Sequence, residues 1–315
     1  MPDSPSSLSR LTRGYSVALF SALILSTTAI LIRYLTQTYH LPALILAFWR
    51  DVFVSLTLFL AFLARRPRLH GLRIARQDLP YLILYGLALG VMNALWTLAV
   101  ALNGAAVATV LVYCSVAFTA LLAWWFLHES LTWVKLLAVV LSLGGCILVA
   151  NALDPAAWSV NLLGILTGVL SGLCYAIYSL MGRAASQRGL NPWTTLFYTF
   201  SFAALFLLAF NVLPGGRLPG TAAQWSDFLW LGSAPAGWGV LFFLAAGPTL
   251  LGFGLYNVSL VYLPSSIANL VVTLEPVFTA LIAYFALGER LTGLQVLGSL
   301  LILSAVMVLR LSERR

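Results

Sequence analysis

Apolar runs of about 20 residues recur along the whole chain, divided by short polar or glycine- and proline-bearing breaks, and each can cross roughly 30 Å of hydrocarbon. Ten spans are expected, at about 14–34, 43–64, 80–101, 105–126, 132–150, 161–182, 192–212, 238–260, 265–286 and 292–310. The pattern excludes a β-barrel, which alternates apolar and polar residues in runs of about ten. Residues 1–13 are rich in Ser and Pro and read as a tail, as does 311–315. The stretch 213–237 holds Pro214, Gly215, Gly216, Pro219 and Gly220, then Trp225 and Trp230, and suits an interfacial loop.

The pattern repeats. Residues 108–143 match the chain 160 positions later at Ala108, Val112, Phe118, Thr119, Ala120, Leu121, Ala123, Leu127, Glu129, Leu131, Thr132, Leu137, Leu141 and Leu143. At an offset of 150, Gly14, Ala18 and Ala22 meet Gly164, Gly168 and Gly172, while Ser21, Arg33 and Pro42 meet Ser171, Arg183 and Pro192. The ten-residue difference places an insertion in the 213–237 loop, and each repeat holds five spans. An odd number turns the second copy upside down in the membrane, the inverted-topology arrangement of many alternating-access carriers. The expected organisation is therefore a tail at 1–13, a first five-helix repeat at 14–150, a second, inverted one at 151–310 with its extra outer loop at 213–237, and a tail at 311–315.

Composition narrows the class. The chain is 61% hydrophobic and 8% charged, against about 25% charged for a soluble domain, so the fold class expected is an all-α integral membrane protein. The net charge of +8 reads as topogenic and not as a nucleic-acid surface. With the N-terminus inside, the cytoplasmic side receives Arg10, Arg13, Arg65, Arg66, Arg68, Arg73, Arg76, Lys135, Arg183, Arg188, Arg310, Arg314 and Arg315. The outer side receives only Arg33, Arg217 and Arg290, so both termini are expected in the cytoplasm. No cleavable signal is visible, and the first apolar run is expected to stay as a helix. Cys114, Cys146 and Cys174 sit in separate apolar runs and read as packing residues.

The run Leu274–Thr292, LEPVFTALIAYFALGERLT, and its counterpart Cys114–Thr132, CSVAFTALLAWWFLHESLT, resemble the drug/metabolite transporter superfamily, in particular its EamA-type ten-helix members. The resemblance covers roughly 14–310. It implies two inverted five-helix halves around a central cavity, with spans five and ten outside it, and transport of small metabolites, often export of amino acids or related compounds. One departure stands out: Glu275-Pro276 is matched in the first half by Ser115-Val116.

Ionisable residues inside the bilayer are functional candidates by default. Glu275 is a candidate proton carrier or partner for a substrate amine, and Pro276 is expected to bend its helix. Arg50 is a candidate for a carboxylate or phosphate, or for a bridge to the helix carrying Glu275; Asp51, beside it, points elsewhere around the helix and need not pair with it. Glu129 and Glu289 read as caps of the helix that follows each break. A polar, aromatic set is expected to line the cavity: Asn93 and Trp96 in span three, Tyr113 in span four, Tyr175 and Tyr178 in span six, Tyr256 and Asn257 in span eight, and Asn269 in span nine. Gly144-Gly145 and Ser304-Ala305 are candidate contacts with another protomer.

His40, His70 and His128 form no metal motif, no phosphate-binding loop is present, and no cofactor, metal or nucleic acid is expected. The reading is a transporter, not an enzyme, in the cytoplasmic (inner) membrane. It would move a small metabolite, an amino acid or related compound, outward by secondary-active or facilitative alternating access, with protons as the candidate coupling ion. It is expected as a monomer or weak homodimer whose other partner is membrane lipid. A drug effluxer or a carrier of phosphorylated or nucleotide-linked sugars is the alternative, with a non-transporting membrane enzyme or scaffold behind it.

Overall fold

A computed structural model describes residues 7–64, 74–149, 153, 162–213, 216–287 and 292–312. The break at Gly288-Glu289-Arg290, Trp158, His70 and the arginines at 65, 66, 68 and 73 lie outside the described residues. Among those described, the chain is helical and holds no strand: α1 (Ser7–Leu25), α2 (Thr28–Thr38), α3 (Ala43–Ala64), α4 (Leu79–Tyr113), α5 (Ser115–Phe126), α6 (Trp133–Val149), α7 (Leu162–Gln187), α8 (Pro192–Val212), α9 (Pro235–Leu244), α10 (Leu250–Tyr262), α11 (Ser265–Val272), α12 (Glu275–Leu287) and α13 (Gly293–Ser312). Among the described residues, eight segments are long and apolar enough to cross a membrane, and α6 is a shorter apolar helix. The broken pair α11–α12 supplies the remaining span. The first helix starts at Ser7, well inside the stretch expected as a tail.

α4 is assigned as one helix, yet it holds two spans, Arg76–Leu102 and Val107–Phe126 with α5. Its contacts show the reversal. Tyr81 donates to the Met181 carbonyl, while Leu111 lies against Gly168. Thirty residues of straight helix from 81 to 111 would cover about 45 Å, but the thirteen of α7 from 168 to 181 cover about 20 Å. The chain therefore reverses direction somewhere between Tyr81 and Leu111.

The packing repeats as the sequence does. α1 lies along α10, and the corresponding α7 lies along the first span of α4. Three pairs join a span to its own repeat counterpart, and each runs antiparallel. In α3 and α8, the Leu44 carbonyl accepts from Asn211, and Phe59 and Phe62 meet Phe197. Between the spans α4–α5 and α11–α12, Tyr113 reaches Val272 while Glu129 reaches Ser265. In α6 and α13, Gly145 faces Ile302, and the Val149 carbonyl accepts from Gln295. A two-fold axis lying across the helices gives this orientation; one running along them would make the pairs parallel.

α6 and α13 stand beside the bundle and pack chiefly on each other. A methyl group at Gly298 would lie 2.6 Å from the Gly145 carbonyl oxygen. Gly145 and Ala305, considered as a contact with another protomer, are thus consumed within the chain. The loop after α8 is tied down over the other end of the bundle: buried Asn211 donates to the Leu44 carbonyl and accepts from the Ala222 amide, and Trp49 donates to the Phe228 carbonyl at 2.6 Å.

Candidate functional site

Four spans are interrupted near mid-depth, two of them for a plain local reason. In the first, Ser26, Thr27 and Thr28 turn their hydroxyls back onto the carbonyls of Leu23, Ile24 and Leu25, competing with the helix ladder. The matched residues in α7, Ala176, Ile177 and Tyr178, lack such hydroxyls, and α7 runs unbroken. α9 passes into α10 through a π turn, Ala245–Thr249, that accommodates Pro248. The remaining breaks, at Cys114 and at Thr273-Leu274, fall at equivalent places in the two repeats.

Glu275 opens α12, and Pro276 sits in its first turn, where a missing amide costs nothing. The expected bend within the span is thus a full break two residues earlier. Pro276 has no N–H for the Val272 carbonyl; the Tyr113 hydroxyl lies 3.2 Å from that oxygen and 2.7 Å from Glu275 Oε2. The Ser26 carbonyl, left free by the first break, accepts from Thr279 of α12 at 3.0 Å. Each half thus completes the backbone of the other.

A cavity lies among these breaks, leaving about 50 Å³ for the centre of a water-sized sphere, room for a few waters. Seven of the ten spans line it. Leu25 and Thr28 flank the first break, Val112 and Tyr113 precede the one at Cys114, Thr249 ends the π turn and Glu275 follows the last. Arg50, Met92, Asn93, Trp96, Tyr175 and Phe253 complete the wall. Of the expected lining, Asn93, Trp96, Tyr113 and Tyr175 are therefore at the cavity, together with Arg50 and Glu275. Tyr178, Tyr256, Asn257 and Asn269 are not.

Those four form a buried polar layer beside it. Asn257 donates to the Tyr178 hydroxyl at 2.7 Å and accepts from Tyr85 at 3.2 Å. Tyr256 donates to Ser179 at 2.6 Å, Asn269 donates to the same oxygen at 3.2 Å, and Ser115 donates to Asn269 at 3.2 Å. On α4, α7 and α10 these residues sit about a turn or more beyond the cavity, always toward the same end. That end carries Arg13 over Tyr262, Arg188 over Tyr81 and Arg310 over Tyr15.

At the same end Glu129 departs from its expected role. Among the described residues it caps no helix of its own half; Oε1 accepts from the amide and hydroxyl of Ser265, and Oε2 from those of Ser266, at 2.6–3.3 Å. The acid thus holds the positive end of α11 in the opposite repeat, and Lys135 adds a bond to the Ser266 hydroxyl. The polar layer and this clamp lie between the cavity and the arginine-rich end.

Arg50 and Asp51 also differ from expectation. They pair, Nε to Oδ1 at 3.4 Å, and Asn93 donates to both Asp51 oxygens at 3.0 and 2.8 Å. Asp51 is fully buried behind the wall and fixes its two neighbours. No ion pair joins Arg50 to Glu275 among the described residues. Four buried side-chain atoms lack a hydrogen-bond partner among the described residues: Arg50 Nη2, Asn93 Oδ1, Thr249 Oγ1 and Thr119 Oγ1. The first three belong to residues of the cavity wall. Thr28, Met92, Thr249 and the network members Tyr85 and Ser179 were not singled out in the sequence; the Ser-Thr-Thr run and Pro248 were the available signals.

The model of the EamA-like transporter family matches residues 12–151 and again 162–311. The threonine/homoserine exporter RhtA of Salmonella typhimurium strain SL1344 is 31% identical over 247 residues, 78% of this chain and 75% of that protein. The uncharacterized inner membrane transporter YicL of Salmonella typhimurium strain LT2 is 25% identical over 308 residues, 96% of this chain and 97% of its own length. A protein of known crystal structure superposes with a TM-score of 0.73 at 17% identity, covering 97% of this chain and 99% of that one, which speaks to the fold alone.

Proposed function

The chain belongs to the EamA-like transporter family, and from that premise we propose that it carries an amino acid or related small metabolite outward across the inner membrane through its central cavity. The observation that carries this reading is the clustering of unsatisfied groups. Burying a polar atom without a partner costs about 1–3 kcal/mol, and three of the four such atoms belong to one cavity wall. A solute that enters there recovers what the fold leaves unspent.

The architecture supports alternating access. The cavity is bordered by discontinuous helices from both repeats, as in carriers whose site lies near mid-membrane. The repeats, divided near residues 150–161, rock about this site. The clamp and polar layer close one end, and their release opens it. The arginines gathered at that end support a cytoplasmic side there, with both termini. Similarity to a threonine/homoserine exporter supports both the substrate class and the outward direction. A sugar phosphate fits less well, because its charges would meet one wall arginine already shared with Asp51.

Counterflow in proteoliposomes tests the reading. Vesicles loaded with unlabelled amino acids should take up labelled ones transiently above equilibrium, and protein-free vesicles should not. Absence of counterflow across the twenty proteinogenic amino acids contradicts it.

A further inference from the structure

Three oxygens in the cavity wall have lone pairs and no donor to fill them. Asn93 is 1% exposed and gives its amide nitrogen to both Asp51 oxygens. An ionised carboxylate only accepts, so the nitrogen is fixed on Asp51, and Oδ1, without a partner among the described residues, is the atom left over. Thr249 is also 1% exposed. The π turn gives the Ala245 carbonyl to the Leu250 amide, and the Thr249 hydroxyl finds no partner among the described residues. Glu275 is engaged by Tyr113 through Oε2, and Oε1 receives no hydrogen bond among the described residues. The three residues come from α4, the π turn and α12, and they line one cavity.

From this geometry we infer that the cavity binds a monovalent inorganic cation, of which sodium is the probe, on Glu275 Oε1, Asn93 Oδ1 and Thr249 Oγ1. The site goes beyond the carrier reading, because the ion is a ligand of the solute-free cavity whatever solute follows it. Carboxylate, amide and hydroxyl oxygens suit a hard cation. Charge fixes the valence. Arg50 is answered by Asp51 at 3.4 Å, which leaves Glu275 as one net negative charge. One monovalent ion neutralises it, whereas a divalent ion would bury an excess positive charge. Size fixes the kind: room for a few waters admits an inorganic ion with part of its hydration shell and excludes a bulky organic ammonium. A proton on Glu275 would cancel the charge, but the single hydrogen bond it donates could serve only one of the two neutral oxygens. Thr28, whose hydroxyl proton goes to the Leu25 carbonyl, adds a fourth oxygen to the wall. Arg50 Nη2, free in the same wall, donates to a water of the ion's shell.

Binding of radioactive sodium to the purified full-length protein tests the site without any transport step. In choline buffer the tracer should bind saturably, and unlabelled sodium should displace it while added choline does not. Glu275→Gln should weaken binding at least tenfold and Thr249→Val severalfold. Thr119→Val removes an equally unpartnered hydroxyl that does not line the cavity, and it should leave binding unchanged. No displaceable tracer, or equal binding in wild type and both cavity variants, overturns the site. Calcium that displaces the tracer better than sodium overturns its monovalent character. Should Glu275→Gln fail to fold, the contrast between Thr249→Val and Thr119→Val decides. Absence of the ion leaves the carrier reading standing, and a silent counterflow assay leaves the ion site standing.

Discussion

Tyr113 of the first half donates a 2.7 Å hydrogen bond to Glu275 of the second. Its hydroxyl has one proton and two acceptors in reach, the other being the Val272 carbonyl that Pro276 leaves without an amide. An ionised Glu275 takes the proton of Tyr113; a protonated one donates to Tyr113, which then serves Val272. The pair can hold Glu275 in either state without moving the backbone. Tyr113→Phe removes a bond to a charged group, worth about 1.5–3 kcal/mol. It should slow counterflow by tenfold or more while the protein stays folded in detergent. Unaltered kinetics would show that the bond has no part in transport.

We propose Glu275 as the group through which a pH gradient acts. Facing it are Tyr113 on α4, Tyr175 on α7 and Cys146 on α6, with Arg50 in the same wall and Asp51 behind it. Glu275→Gln keeps the shape and a partner for Tyr113 but fixes the site in a neutral form. Exchange should persist, and accumulation driven by a pH gradient should vanish. A mutant that retains the wild-type pH profile excludes Glu275 as the proton site.

Glu129 accepts four hydrogen bonds from the first turn of α11. Glu129→Ala frees the amides of Ser265 and Ser266, so their hydrogen exchange in lipid nanodiscs should quicken by an order of magnitude or more. Unchanged protection would mean that the clamp does not hold the closed end together.

Gly145 and Gly298 let α6 and α13 meet backbone to backbone. Gly298→Leu forces them apart, with overpacking of this kind costing about 1–3 kcal/mol. The melting temperature in detergent should fall by several degrees, whereas Gly144→Leu, with nothing within 4 Å of the added atom, should leave it nearly unchanged. Equal effects at the two positions would contradict the tight pairing.

Much of the architecture was legible because hydropathy and duplication are one-dimensional signals. Apolar spans and a two-part repeat could be read from hydropathy and spacing, and four residues named from spacing, Asn93, Trp96, Tyr113 and Tyr175, border the cavity. Depth within a span could not. Tyr178 and Tyr256 share helices with wall residues, and only the bundle's three-dimensional fit places them one layer away. Partner choice across the halves was also hidden. Spacing suggested that Glu129 caps its own next helix, but Ser265 and Ser266 lie more than a hundred residues away in sequence and in contact in space. Spacing leaves the Arg50–Asp51 pairing open, because neighbours diverge around a helix; in the fold the long guanidinium stem bends back far enough to meet the next carboxylate.

The central claim is that one cavity is reached in turn from the two faces of the membrane. Thr28 borders that cavity and is buried. The direct measurement replaces the native cysteines, introduces Thr28→Cys and labels it with a membrane-impermeant maleimide from either face of oriented vesicles. The account predicts labelling from both faces, with each rate altered and the total slowed when transported amino acid is present. Labelling from one face alone, whatever solute is added, would contradict it.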